Sequence, residues 1–119
     1  MIASLDKKEV LEIHGKIVES SGEELSILSK HKIDSIIIRH NRAETIAKKA
    51  TILLHDIPHL QPFSEGNKRT AFASTIIFLK YNKKNLKLSR KRIKEIIIYS
   101  VNNNLTLRDI EKILEKAIV

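Results

Sequence analysis

The sequence predicts an all-α fold, and three observations carry that prediction. Apolar residues return at i, i+3, i+4 and i+7, the spacing of a helix face turned toward a core. Ser89 and Thr106 stand as caps at the head of two further stretches. Short polar segments join all of these.

The first helix is expected over residues 5–17, where Leu5, Val10, Ile13 and Ile17 keep roughly helical spacing. Ser20, Ser21 and Gly22 then signal a turn. Residues 23–39 are ambiguous. Leu25, Ile27, Leu28 and Ile33 lead into Ile36, Ile37 and Ile38, a run that suits a short buried strand or one helical turn capped by Asp34 or Ser35. From Asn41 the pattern sharpens. Ala43, Ile46, Ala47, Ala50, Leu53 and Leu54 make one face, with Lys48 and Lys49 opposite. This helix is expected to stop before Pro58, because proline disfavours helix at the preceding residue. Residues 57–64, punctuated by Pro58 and Pro62, read as a loop. A second strong helix is expected from Glu65 or Asn67 to Tyr81. Ala71, Phe72, Thr75, Ile76, Phe78 and Leu79 make it apolar on most sides, which places it at the centre, and Asn82 marks its exit. Ser89 opens a helix through Ser100, and Thr106 with Asp109 begins a last helix that ends near Ile118.

A chain of 119 residues has room for one core, so residues 1–119 are expected to form a single domain. With 42% hydrophobic residues it suits a folded globular protein. The absence of cysteine excludes disulfides, thiolate zinc sites and cysteine nucleophiles. No apolar run approaches the ~20 residues of a membrane span and no signal-peptide pattern is present, so the cytoplasm is the expected compartment. A formal charge of +8 favours an anionic partner. Nucleic acid is not the expected one. Lys7, Lys8, Lys48, Lys49, Lys83 and Lys84 are scattered among isoleucines, and two Tyr with three Phe are too few for a base-stacking platform.

Between the two strongest helices runs Gln61-Pro62-Phe63-Ser64-Glu65-Gly66-Asn67-Lys68-Arg69. A helix N-terminus offers unpaired N–H groups and the positive end of a dipole, which together attract an anion. Gly66 permits positive φ or close backbone approach, and Asn67 can donate an amide hydrogen bond. Lys68 adds a point charge and Arg69 a planar fork. Glu65, the one acid in the stretch, is placed to hold a Mg²⁺ that bridges phosphate oxygens. Phe63 is expected to point inward and pin the loop. A simple cap would use fewer of these parts. Lys68 and Arg69 in a first turn also oppose the helix dipole, so stability alone does not account for them.

This stretch resembles the signature of the Fic/Doc family, H-x-F-x-(D/E)-(A/G)-N-(G/K)-R, at Phe63, Glu65, Gly66, Asn67, Lys68 and Arg69. Thr70 and Ala71 extend the likeness in the manner of the Doc (death-on-curing) branch, as does the Phe78-Leu79-x-x-Asn82 helix end. The resemblance implies a helical bundle whose motif loop leads into a central helix. It implies a transferase that uses ATP and Mg²⁺ to modify a hydroxyl side chain of a protein target, a translation factor in the case of Doc. By the same resemblance Glu65 would hold the metal, and Gly66, Asn67, Lys68 and Arg69 would bind nucleotide phosphate. Lys68 would also take part in catalysis beside the residue at position 61. AMP-transferring members usually carry Gly where Lys68 stands and a second Arg where Phe72 stands. Both departures favour phosphoryl transfer.

The family's motif opens with a histidine that serves as general base, and here that position is Gln61. A neutral amide cannot take the proton from a target hydroxyl, a loss of typically ~10²–10⁴-fold in rate. His59 and His55 are the nearest alternatives. His59 is expected in a proline-bounded exposed loop and His55 at a helix end. With Pro58 between them, they are not expected to form a His-x-x-x-His metal pair. Ser20 with Glu24 comes nearest to the inhibitory (S/T)-x-x-x-E-(G/N) helix of some Fic proteins, but Leu25 breaks it. Control by a separate antitoxin is then implied.

Overall fold

The computed structural model describes residues 1–22 and 27–119. It contains α1 (Lys7–Ser20), α2 (Lys30–Arg42), α3 (Ile46–Leu60), α4 (Asn67–Tyr81), α5 (Arg90–Val101) and α6 (Leu107–Ala117). Among the described residues there is no strand, only isolated antiparallel bridges between Ile27 and Phe63 and between Leu86 and Ile118. The expected all-α class is what the structure has.

Five helices start on a side-chain oxygen that accepts an N–H of the first turn: Asp6, Ser29, Thr45, Ser89 and Thr106. Each such cap is worth about 1 kcal/mol, since it satisfies one of the donors that a helix start leaves open. Asp6 with Glu9 and Thr106 with Asp109 close full capping boxes.

Three expectations need correction. The ambiguous segment is neither a strand nor a turn capped at Asp34 or Ser35, but a helix begun by Ser29, whose hydroxyl accepts from Lys32 N–H at 3.2 Å. Ile33, Ile36, Ile37 and His40 are buried at i, i+3, i+4 and i+7, while Ile38 turns outward. The isoleucine run is therefore two faces of one helix. Its part over residues 23–26, with Glu24 and Leu25 of the inhibitory-helix comparison, lies outside the described residues. Secondly, Asn41 belongs to the end of α2 rather than the start of α3, because Thr45 supplies the cap of α3.

The third correction is Pro58. α3 does not stop before it but continues to Leu60. Proline in the last turn removes a single N–H donor. Ile57 and Pro58 are both buried, so packing outweighs the local preference of the residue ahead of proline.

α4 lies against α1, α3 and α5, and α3 shares the centre by reaching α2, α4, α5 and α6. The core they share includes Leu53, Leu54, Ala71, Phe78 and Leu79, all essentially closed to solvent. Fully burying such a Leu, Ile or Phe contributes about 1.5–3 kcal/mol. The N-terminal segment is tied across this core by polar groups. His40 Nε2 accepts from Leu5 N–H at 3.0 Å, and its Nδ1–H donates to the Lys49 carbonyl at 3.0 Å. Buried Lys49 sends its ammonium to Ser4 Oγ (2.8 Å) and to the His40 and Asn41 carbonyls (both 3.0 Å). Those carbonyls end α2, so Lys49 acts as their cap and its charge sits at the negative end of that helix.

Candidate functional site

Gln61 is where the chain leaves α3. Its φ of 50° and ψ of 63° lie in the left-handed region, and its N–H donates back to the Ile57 carbonyl at 3.0 Å. A non-glycine residue there is strained by roughly 1–2 kcal/mol, so neighbouring contacts must hold the turn. Pro62 supplies some of them. Its carbonyl accepts from Leu28 N–H at 2.9 Å and from Ser29 N–H at 3.2 Å, and Ile27 bridges Phe63. The segment entering α2 thus runs alongside the loop.

Phe63 points inward and is fully buried, as expected. Around it the loop is clamped from two sides. Asn67 closes a ring with it, Oδ1 accepting from Phe63 N–H at 3.1 Å and Nδ2 donating to the Phe63 carbonyl at 2.9 Å. The Asn67 amide is therefore spent on the shape of the loop. The second clamp is His14 of α1, whose ring stacks on Phe63 with centroids 3.5 Å apart and planes 8° from parallel. Its Nε2 lies 2.8 Å from the Glu65 carbonyl, which as an acceptor calls for the proton on that nitrogen.

Gly66 then turns the chain into α4 with φ 79°. A Cβ at this position would meet Val18 Cγ1 at 3.3 Å and the His14 ring at 3.6 Å. Both its conformation and its contact with α1 call for glycine. Behind it, no described side chain caps α4, and its first turn holds no acidic residue. Lys68 and Arg69 stand in that turn, exposed, and the Glu65 and Gln61 side chains are exposed beside it. The loop thus brings all six predicted site residues to one end of α4. What it offers an anion is a row of backbone N–H groups, the positive end of a dipole and two cations.

From this end a groove of about 560 Å³ runs along α4. Ile17, Phe72, Ile76 and Ile97 line its floor, and Lys68, Arg69, Arg90 and Lys94 its rim. The Arg90 guanidinium lies over the Phe72 ring, 5.6 Å from its centroid.

A sequence model of the Fic/DOC family matches residues 4–79, well over half of the chain. The chain belongs to the Fic/DOC family. A search of curated proteins found no match. Fic proteins generally use ATP and Mg²⁺ and act on protein targets. The match begins ahead of α1 and ends within α4, so it takes in the whole loop together with His14 and the segment entering α2. No helix among the described residues is long and apolar enough to cross a membrane.

Gln61, Glu65, Lys68 and Arg69, all exposed on this loop, are legible in the sequence, whereas His14 is not. The available signal was periodicity: Val10, His14 and Val18 are the buried residues of α1, four apart, and a histidine on such a stripe needs a partner. The histidines ahead of the loop also differ from their expected places. Because α3 runs through Pro58, His55 and His59 are one turn apart on one helix, with rings stacked at 4.8 Å. His55 Nδ1 donates to Asp56 Oδ1 at 2.8 Å, and the other oxygen of buried Asp56 accepts from Arg39 at 2.7 Å.

Proposed function

We propose that this Fic/DOC protein is a Doc-like scaffold for ATP- and Mg²⁺-dependent modification of a hydroxyl side chain on a protein target, with phosphoryl transfer favoured over AMP transfer. The observation that carries this reading is the start of α4 behind Gly66, where no described side chain caps the helix and Lys68 and Arg69 stand in the first turn. Every other helix here closes its first turn with a side chain. Open N–H donors, a left-handed glycine and two cations suit a polyphosphate, and the exposed carboxylate of Glu65 suits the metal that travels with it. The donor set therefore fits Mg-nucleotide. Glu65 would hold the Mg²⁺, whose positive charge would offset charge that develops on the transferring phosphate.

The chain's own residues would divide the remaining work. Backbone N–H groups at Gly66 and Asn67 hold phosphate oxygens, Arg69 clamps them, and Lys68 neutralises the transferring group. Asn67 and His14 keep the loop in that shape through Phe63. Gln61 can orient a target hydroxyl by hydrogen bonding but cannot accept its proton. Positioning and electrostatics supply most of phosphoryl-transfer catalysis, so an impaired activity is consistent with this loop. Lys68 in place of Gly and Phe72 in place of the second Arg favour the Doc side of the family.

Gln61 also motivates a second reading, in which the protein binds nucleotide or protein without transfer. In either case the basic-rimmed groove fits an antitoxin segment, an amphipathic helix whose apolar face covers Ile17 and Phe72 while its acids meet Arg90 and Lys94.

Incubation with γ-³²P-ATP and cell lysate separates the two readings. Label should pass to a protein target, and Gln61→His should raise the rate by about 10²-fold or more. α-³²P-ATP run in parallel reports AMP transfer. If neither the natural chain nor Gln61→His labels any protein, the transferase reading falls. Nucleotide binding that disappears with Glu65→Ala or Arg69→Ala, in the absence of transfer, supports the binding module.

A further inference from the structure

We propose that His55 and His59 form a binding site for one divalent transition-metal ion of the zinc type, separate from the phosphate loop. Residues four apart on a helix have Cβ atoms about 5–6 Å apart on one face. The structure realises this pair, since the helix is continuous through Pro58 and the two rings stack at 4.8 Å, 17° from parallel. Two imidazole nitrogens, each about 2.0–2.1 Å from a zinc ion, must approach to roughly 3.3 Å of one another. The stacked rings do not themselves aim both nitrogens at one point; His59 is exposed, so its ring has room to turn toward one.

The surroundings prepare His55 as a ligand. Asp56 Oδ1 accepts the Nδ1–H of His55 at 2.8 Å, which leaves Nε2 as the ring nitrogen for a metal. A carboxylate behind a metal-bound imidazole fixes its tautomer and raises its basicity, and removal of such a partner typically costs about 10–100-fold in metal affinity. Asp56 is itself held in place, because Arg39 donates to Oδ2 at 2.7 Å and the carboxylate is 1% exposed. Both of its oxygens are engaged, so Asp56 supports the site from behind and is not a ligand. The described residues contain no group of three or more metal-binding side chains. The site thus supplies two nitrogens and leaves its other positions to water. Imidazole pairs favour zinc, nickel and copper over Mg²⁺, whose preference is for oxygen. Glu65 and the His55–His59 pair therefore call for different ions.

The test is titration of the full chain with Zn²⁺ against a chromophoric zinc chelator, followed by histidine-ring NMR. One equivalent should bind, with the His55 and His59 ring signals shifting together. His59→Ala removes an exposed side chain and should weaken binding at least tenfold at an unchanged melting temperature. His31→Ala, an exposed histidine on α2, and Glu65→Ala should leave the affinity as it is. Unchanged affinity in His59→Ala overturns the proposal, as does equal weakening by His31→Ala or Glu65→Ala. Absence of any stoichiometric zinc binding by the natural chain does the same.

Discussion

The ring of His14 lies flat on that of Phe63, with centroids 3.5 Å apart, and its Nε2 reaches the carbonyl of Glu65 at 2.8 Å. One side chain of α1 thus supports both the buried anchor of the loop and the backbone of its acidic residue. His14→Ala should cost about 2–4 kcal/mol, because it opens a void under Phe63 and leaves a carbonyl without its donor. His14→Phe keeps a ring for stacking and should lose less. Urea unfolding of the two variants measures both. A loss under about 0.5 kcal/mol in His14→Ala, the range of an ordinary surface change, would contradict the role.

Gly66 has two reasons to be glycine, and Gly66→Ala tests them together. The left-handed backbone costs a Cβ-bearing residue about 1–2 kcal/mol. The added Cβ also meets Val18 Cγ1 at 3.3 Å, a contact that asks α1 or the loop to shift. Thermal unfolding should show a lower melting temperature. Phosphate or nucleotide affinity should fall with it, since the shift displaces the first N–H groups of α4.

Asn67 makes two bonds to Phe63 and so distinguishes its donor from its acceptor. Asn67→Asp preserves the acceptor for Phe63 N–H but cannot donate to the Phe63 carbonyl, whereas Asn67→Ala loses both. Asn67→Ala should be the more destabilising, by about 1–3 kcal/mol from the groups it leaves unpaired. Denaturant midpoints of the two variants give the order.

His40 predicts a pH dependence. Burial, offset in part by its bond to the Lys49 carbonyl, lowers its pKa from 6.5 to about 4. The unfolded chain then binds more protons than the folded one between these values, so stability falls with falling pH. His40 contributes in full above about pH 6.5 and loses that contribution progressively down to about pH 4. At about 1.4 kcal/mol per pH unit the loss amounts to about 3 kcal/mol. Protonation would also set Nε2–H against Leu5 N–H. Unfolding free energies measured from pH 7 to pH 4 should show this slope, and His40→Gln should flatten it.

Helix starts were legible at Ser89 and at Thr106 with Asp109, but not at Asp6, Ser29 or Thr45, whose caps span the same three residues. The candidate site was legible too. Gln61 to Arg69 is contiguous, and a helix N-terminus gathers its N–H groups, charges and glycine without help from distant parts of the chain. Even so, the sequence suggested that Asn67 would face an anion, whereas its amide folds back on Phe63. Composition could not distinguish the two, because an amide donates equally well in either direction.

By itself, then, the sequence determined the all-α class and the motif loop from Gln61 to Arg69 at the head of α4. These depend on spacing and chemistry within one or two turns. The tertiary structure decided the rest. It set Ser29 as the start of α2 and carried α3 through Pro58, because buried contacts of Ile57 and Pro58 outweigh a local preference. The same continuation stacked His59 on His55. It also placed His14 beneath the loop, across 51 positions of chain, where only the packing of α1 on α4 brings the two together.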